Sequence, residues 1–295
     1  MTEAMISGGI VAGPLSTFDS AGRFDFTLYE RIVDFLIESG VDAVVAAGYM
    51  IQNFTYLTLD ERKEIIVRTQ QFVGGRKPVV AGISGRTTNE ALELLAFSES
   101  KGVQAVLSSA PYGNRVSASE CLSYFQEISK RSSTPVFVYN HPDLGMDMPV
   151  SLLTELSKIK NIKYIKDVGF DVIKFARLVQ ETKDNTIIFG VSEIMLPCLV
   201  MGVEGISAPP PLVGLAKELM LAYHESDHKT ALRLQRKILD YPQHLIKKRS
   251  DLVAREALRA FGLDTGFPRA PFDNLEPSEE KMIREFVGQI DRNHR

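Results

Sequence analysis

The segment NIKYIKDVGFD, residues 161–171, places a lysine where a strand leaves a hydrophobic core. Ile162, Tyr164 and Ile165 read as a short buried strand, and Lys166 follows directly. An ammonium at the mouth of a core either extends its head to water or gives up part of its hydration. In the second case its pKa falls and the neutral amine becomes available. Such an amine attacks a ketone to form a Schiff base, which then withdraws electrons from the adjacent carbon. Tyr139 ends the preceding strand, in PVFVYNHP, where a phenol can carry a proton to and from that carbon. Simple packing of both side chains is the alternative that these residues leave open.

Both residues belong to a repeating pattern. Short apolar runs begin at Gly8 (GGIVAGPL), Val41 (VDAVVAAG), Lys77 (KPVVAGIS), Val103 (VQAVLSSAP), Thr134 (TPVFVYNHP), Ile162 (IKYIKDVG), Asn185 (NTIIFGVS) and Val203 (VEGISAPP). They are apolar at consecutive positions, as in parallel strands covered on both faces. Amphipathic stretches lie between them. LYERIVDFLIES sets Ile32, Phe35 and Leu36 on one stripe, and TLDERKEIIVRTQQFV opens with Thr58 and Glu61 in capping-box spacing. TTNEALELLAFSESKG starts at Thr88 or Asn89, and SASECLSYFQEISKRS repeats the capping box with Ser117 and Glu120.

Eight strand–helix units in residues 1–225 predict a (β/α)8 TIM barrel. The texture of residues 226–295 is helix only. It predicts a C-terminal helical extension packed on the barrel, with GLDTGFPRAPFDNLEP as a linker between its last two helices. A doubly wound open sheet is the rival architecture, but no Gly-x-Gly-x-x-Gly loop follows the first strand. Reacting groups of a barrel stand at the C-terminal strand ends. Those ends carry Gly48 with Tyr49 and Met50, Tyr112, Tyr139 with Asn140 and His141, Lys166, Ser192 with Glu193, and Ser207.

The bulk composition narrows the partners. Among 295 residues, 34 Lys+Arg face 37 Asp+Glu, which gives no electrostatic case for nucleic acid or an anionic membrane. Cys121 and Cys198 form neither a metal pattern nor a disulfide framework, and read as buried free thiols. The N-terminus lacks a basic region followed by a long apolar run, and no stretch is long enough to cross a bilayer. The expectation is a cytoplasmic protein acting on a small molecule, without metal, nucleotide or flavin.

PVFVYNHP followed by YIKDV resembles the dihydrodipicolinate synthase / N-acetylneuraminate lyase superfamily of class I, Schiff-base-forming barrel enzymes. The resemblance extends over nearly the whole chain, through GPLSTFD at residues 13–19, PVVAGISGRTTNEALELLAFSESKGVQAVLSSAPY and GLDTGFPRAPF. It implies that Lys166 forms the covalent imine with a 2-oxo acid and that Tyr139 is the proton relay. It also implies that no further cofactor is needed and that the chain assembles as a homodimer or homotetramer. In the family a tyrosine from the segment of Tyr112 can reach the neighbouring subunit's site, so Tyr112 is a relay partner or an aromatic at a dimer contact.

The chain is an atypical member. Where the family has Gly-Thr-Thr-Gly-Glu or Gly-Ser-Thr-Gly-Glu, it reads Gly48-Tyr49-Met50-Ile51-Gln52. Backbone amides at Tyr49 and Met50 can still hold a carboxylate, but Ile51 resists the positive φ that a glycine accepts. Tyr49's phenol either replaces the lost hydroxyl or packs the pocket. Leu144 stands where dihydrodipicolinate synthases carry a carboxylate-binding arginine, which argues against condensation with aspartate semialdehyde. Ser192 and Glu193 resemble the Asp-Glu pair of neuraminate lyases, whose place is suited to substrate hydroxyls. Glu193 equally suits the start of a helix. His141 reads as a substrate contact or acid/base, and Ser207 as a small polar lining residue. The leading expectation is a lyase or aldolase on a pyruvate-type or sugar-acid substrate. A dehydratase or deaminase using the same imine, and a degenerate binding or regulatory homologue, are the alternatives.

Overall fold

Each apolar run becomes a strand, and the eight close on one another. In the computed structural model, which describes residues 6–49, 51–182 and 186–291, the strands are β1 (Gly9–Ala12), β2 (Ala43–Ala46), β3 (Val79–Gly82), β4 (Ala105–Ser109), β5 (Val136–Asn140), β6 (Ile162–Asp167), β7 (Ile187–Val191) and β8 (Gly205–Ser207). Each pairs in parallel with its neighbours in sequence, and β8 pairs with β1. Successive side chains of a strand point to opposite faces. Val11, Val45, Val80, Leu107, Phe137, Tyr164 and Phe189 therefore fill the barrel, while Ile10, Val44, Val79, Val106, Val138, Ile165 and Ile188 meet the helices. Phe137 stacks on Tyr164 at 4.1 Å between ring centroids. Gly205 admits the Phe189 ring, because a Cβ there would come within 2.2 Å of it.

The helices that follow are α1 (Phe26–Glu38), α2 (Leu59–Val73), α3 (Thr88–Ser100), α4 (Ala118–Arg131), α5 (Val150–Ser157), α6 (Val172–Glu181), α7 (Met195–Val200) and α8 (Val213–His224). Thr58 with Glu61 and Ser117 with Glu120 form the two capping boxes that the spacing predicts. The third helix starts at Thr88, the first of the two expected positions, and Thr87 caps it by accepting from the Glu90 amide. Cys121 and Cys198 are free and buried.

The chain ends in α9 (His228–Leu239), α10 (Gln243–Ala260) and α11 (Pro277–Asp291), the helical extension expected on the barrel. The run DHKTALRLQRKILDYPQHL is not one helix. It breaks before Pro242, which lacks the amide a helix interior needs. The backbone bends again at Arg249, which leaves helical geometry at φ −151°. Gln235 of α9 ties the extension to the top of β7: its Nε2 donates to the Ser192 and Glu193 carbonyls at 3.2 and 2.9 Å. Among the described residues, no helix is long and apolar enough to cross a membrane.

Candidate active site

Strand register decides the central pair. Tyr139 of β5 sits directly beside Lys166 of β6. Two residues earlier on each strand stand Phe137 and Tyr164, which face into the barrel. A strand period of two therefore turns Tyr139 and Lys166 inward as well. Lys166 Nζ lies 4.5 Å from the centroid of the Tyr139 ring. Asp167 faces the other way, where its carboxylate meets Asn140 Nδ2 at 2.7 Å and Lys174 Nζ at 2.9 Å. Among the described residues no carboxylate forms an ion pair with Lys166. Burial thus acts uncompensated and pushes its pKa down to about 8. The Tyr139 phenol moves up, first through burial and then through the nearby acidic groups Tyr49, Asp143 and Asp167, so it keeps its proton. An unpaired amine beside a protonated phenol is the arrangement that imine chemistry requires.

Both residues line a cavity of about 510 Å³ at the C-terminal end of the barrel. Of the other residues expected there, Gly48, Tyr49, His141, Glu193 and Ser207 line it too. The Tyr49 and His141 rings meet edge to face at 4.8 Å, and His141 lies 5.7 Å from Tyr139. Burial pushes the imidazole down to about 4, so it is neutral. Its Nδ1 accepts the Asp143 amide at 3.2 Å, which assigns the ring proton to Nε2. Burial raises the Glu193 carboxyl toward its protonated form.

The loop after β2 is held by a residue that sequence reading passed over. Gln52 is buried, and its Oε1 accepts the Gly48 amide at 2.6 Å. Its Nε2 donates to Tyr29 Oη at 2.9 Å, which in turn meets Thr69 Oγ1 at 2.8 Å. Ile51 escapes the expected strain, because the left-handed residues are Ala47 and Asn53 on either side. An amide side chain directly after the apolar run Tyr49-Met50-Ile51 was the available signal for Gln52.

Two expected residues fall elsewhere. Tyr112 does not line the cavity. Its hydroxyl donates to Glu90 at 3.3 Å and its ring packs on Phe54 at 5.2 Å. Ser192 is fully buried behind the wall, where its hydroxyl donates to Glu193 Oε2 at 3.1 Å. Met50 lies outside the described residues. Leu144 is buried among apolar side chains, and among the described residues no arginine lines the cavity. Asp143, Tyr241 and Ser250 also line it. Nothing in the local sequence around the last two marks them as neighbours of a strand end.

Comparison with known proteins identifies the family. Residues 6–290 match the model of the dihydrodipicolinate synthetase family. The 4-hydroxy-tetrahydrodipicolinate synthase of Bacillus velezensis is 28% identical over 287 residues, covering 96% of this chain and 99% of its own. The corresponding Bacillus subtilis enzyme is 26% identical over 288 residues, covering 96% and 99%. A solved dihydrodipicolinate synthase from Bacillus anthracis superposes with a TM-score of 0.90 at 27% identity, covering 96% of this chain and 98% of that one. Enzymes of this kind work through a Schiff base on a lysine and use no external cofactor. With its barrel, its inward lysine and a family match from end to end, the chain belongs to the dihydrodipicolinate synthetase family and is one of its lyases.

Proposed function

We propose that Lys166 forms an imine with a 2-oxo acid and that Tyr139 moves the protons of carbon–carbon cleavage. The observation that carries this reading is the unpaired Lys166 amine lying over the Tyr139 ring. The neutral amine adds to the C2 carbonyl, and Tyr139 protonates the departing oxygen as water leaves. In the iminium the Tyr139 phenolate takes the C4 hydroxyl proton as the C3–C4 bond breaks and its electron pair moves through C2 to nitrogen, leaving an enamine and releasing an aldehyde. A proton returned to C3 and addition of water to C2 then free the shortened 2-oxo acid and restore the amine. Gln52 occupies the Gly48 amide, so the carboxylate falls to the amide of Tyr49.

Among the described residues no arginine lines the cavity wall, so none of them offers a bidentate partner for a second carboxylate. This supports a partner aldehyde other than aspartate semialdehyde. In the same reading, Tyr112 on Glu90 serves a second copy of the chain, in a homodimer or homotetramer. Burial raises the pKa of Glu193 at the cavity wall, which favours one further reading, in which the imine expels water from the substrate and Glu193 protonates the leaving hydroxyl.

The test is borohydride trapping with pyruvate and with longer 2-oxo acids, followed by peptide mass spectrometry. An adduct on Lys166 is expected, with release of pyruvate for cleavage or of a dehydrated acid for elimination. Adducts on other lysines alone would reject the imine at Lys166.

A further inference from the structure

Two lysines stand near the end of β6, and the fold treats them in opposite ways. Lys166 turns into the cavity without an anionic partner among the described residues, whereas Lys174, in the first turn of α6, is held by two carboxylates. Its Nζ lies 2.9 Å from both Asp147 Oδ1 and Asp167 Oδ2. Burial works against this ammonium, but the hydrogen bonds and charges of Asp167 and Asp147 outweigh it and raise its pKa. Lys174 therefore stays charged where Lys166 sheds its proton more readily.

The Lys174 ammonium closes a ring of polar contacts directly behind the reacting pair. Asn140 and Asp167 are the next register partners after Tyr139 and Lys166, and both are fully buried. Asn140 Nδ2 donates to Asp167 Oδ2 at 2.7 Å and to Asp147 Oδ1 at 2.8 Å, while its Oδ1 accepts the Met148 amide at 2.8 Å. Asp167 Oδ1 accepts the Gly169 amide at 2.7 Å. Among the described residues Lys174 is the only cation paired with Asp167. A buried carboxylate without a cation is costly, so it takes up a proton or favours the charged form of the nearest base. That base is Lys166, its neighbour in the chain. The titratable residues that share the cavity with Lys166 are Tyr49, Tyr139, His141, Asp143, Glu193 and Tyr241, and none of them forms an ion pair with it. Asp167, on the opposite face of the strand, is the anion whose pairing decides the balance.

We propose that Lys174 is a positioning residue for the reaction: by pairing with Asp167 behind the strand ends, it keeps that carboxylate from serving Lys166 as a counter-ion. The proposal rests on the imine reading above.

The test follows the single-turnover rate at which pyruvate and borohydride mark Lys166, from pH 6 to 10, in wild type and Lys174→Met. In the variant the inflection is expected to rise from about 8 by about one pH unit, so that the rate at pH 7 falls about tenfold. Lys174→Arg keeps the charge and is expected to retain the wild-type profile. Lys174→Gln keeps a donor for Asp167 without the charge; it should match Lys174→Met, and it carries the test if that variant does not fold. An unchanged inflection in the folded uncharged variant, even with a lowered melting temperature, would overturn the role, since a merely structural contact moves only the melt. An equal shift in Lys174→Arg would overturn it as well. Wild type separates the two levels. A Lys166 adduct there, combined with an unchanged inflection in the variants, overturns only the role of Lys174, while no adduct with any 2-oxo acid overturns the imine reading too.

Discussion

The strand pair β5–β6 and the loop after β2 both serve the cavity, and they are built on different principles. Tyr139 and Lys166 are placed by backbone ladders. Their register is shared with Phe137 and Tyr164 beneath them, and no side-chain hydrogen bond is needed to aim them. The β2 loop has no ladder. Its shape depends on Gln52, which links Gly48 to Tyr29 and Thr69, and on left-handed backbone at Ala47 and Asn53. A slip of one residue in β6 would turn Lys166 out of the barrel and disrupt a packed core. A change in the loop need only exchange one side chain. The proposed reacting pair is therefore the rigid part of the site, and the loop is where substrate preference can diverge.

The sharpest way to break this contrast is Lys166→Ala. Turnover and borohydride trapping should fall by at least roughly a thousandfold, with unfolding still cooperative. Retained trapping would mean that another amine does the chemistry. Tyr139→Phe comes next, with an expected loss of about 10²–10⁴-fold in kcat and an intact circular dichroism spectrum. A loss confined to KM would demote the phenol to a packing residue.

The pH dependence of imine formation probes the same pair. With a pKa of about 8, Lys166 should gain neutral amine about tenfold per pH unit up to that value and level off above it. Single-turnover trapping rates from pH 6 to 10 would show this, and a plateau reached only near pH 10.5 would place the amine in water. Stability carries the matching sign. Folding lowers the lysine pKa from 10.5, so between about 8 and 10.5 the unfolded chain binds the extra proton. The contribution of Lys166 to stability therefore rises with pH through that window. Lys166→Met should raise the melting temperature at pH 7, and the gain should fade as pH approaches 10.5.

The smallest effect belongs to the loop. Gln52→Ala leaves the Gly48 amide and the Tyr29 hydroxyl each short of a partner, at a cost of about 1–3 kcal/mol in a urea melt. Its kinetic signature should be a raised KM for 2-oxo acids with kcat nearly kept. A fall in kcat equal to that of Tyr139→Phe would erase the distinction between rigid pair and adjustable loop.

The alternation of apolar runs with capped helices determined the barrel by itself. The same runs also placed Tyr139 and Lys166 at the ends of neighbouring strands. These features are local, and one chain segment carries each of them whole. Tyr112 and Ser192 show where that reading stops. Both stand at strand ends of the right kind, yet Glu90 draws the first away from the cavity and the barrel wall covers the second. Which way a side chain turns beyond the last ladder bond depends on neighbours distant in sequence, and only the fold supplies them. Tyr241 is the extreme case. It lies 75 residues beyond Lys166 in the chain and reaches the same cavity because Gln235 docks α9 on the end of β7. The residues at the strand ends were legible in the sequence, and the far wall of the cavity existed only once the extension had packed against the barrel.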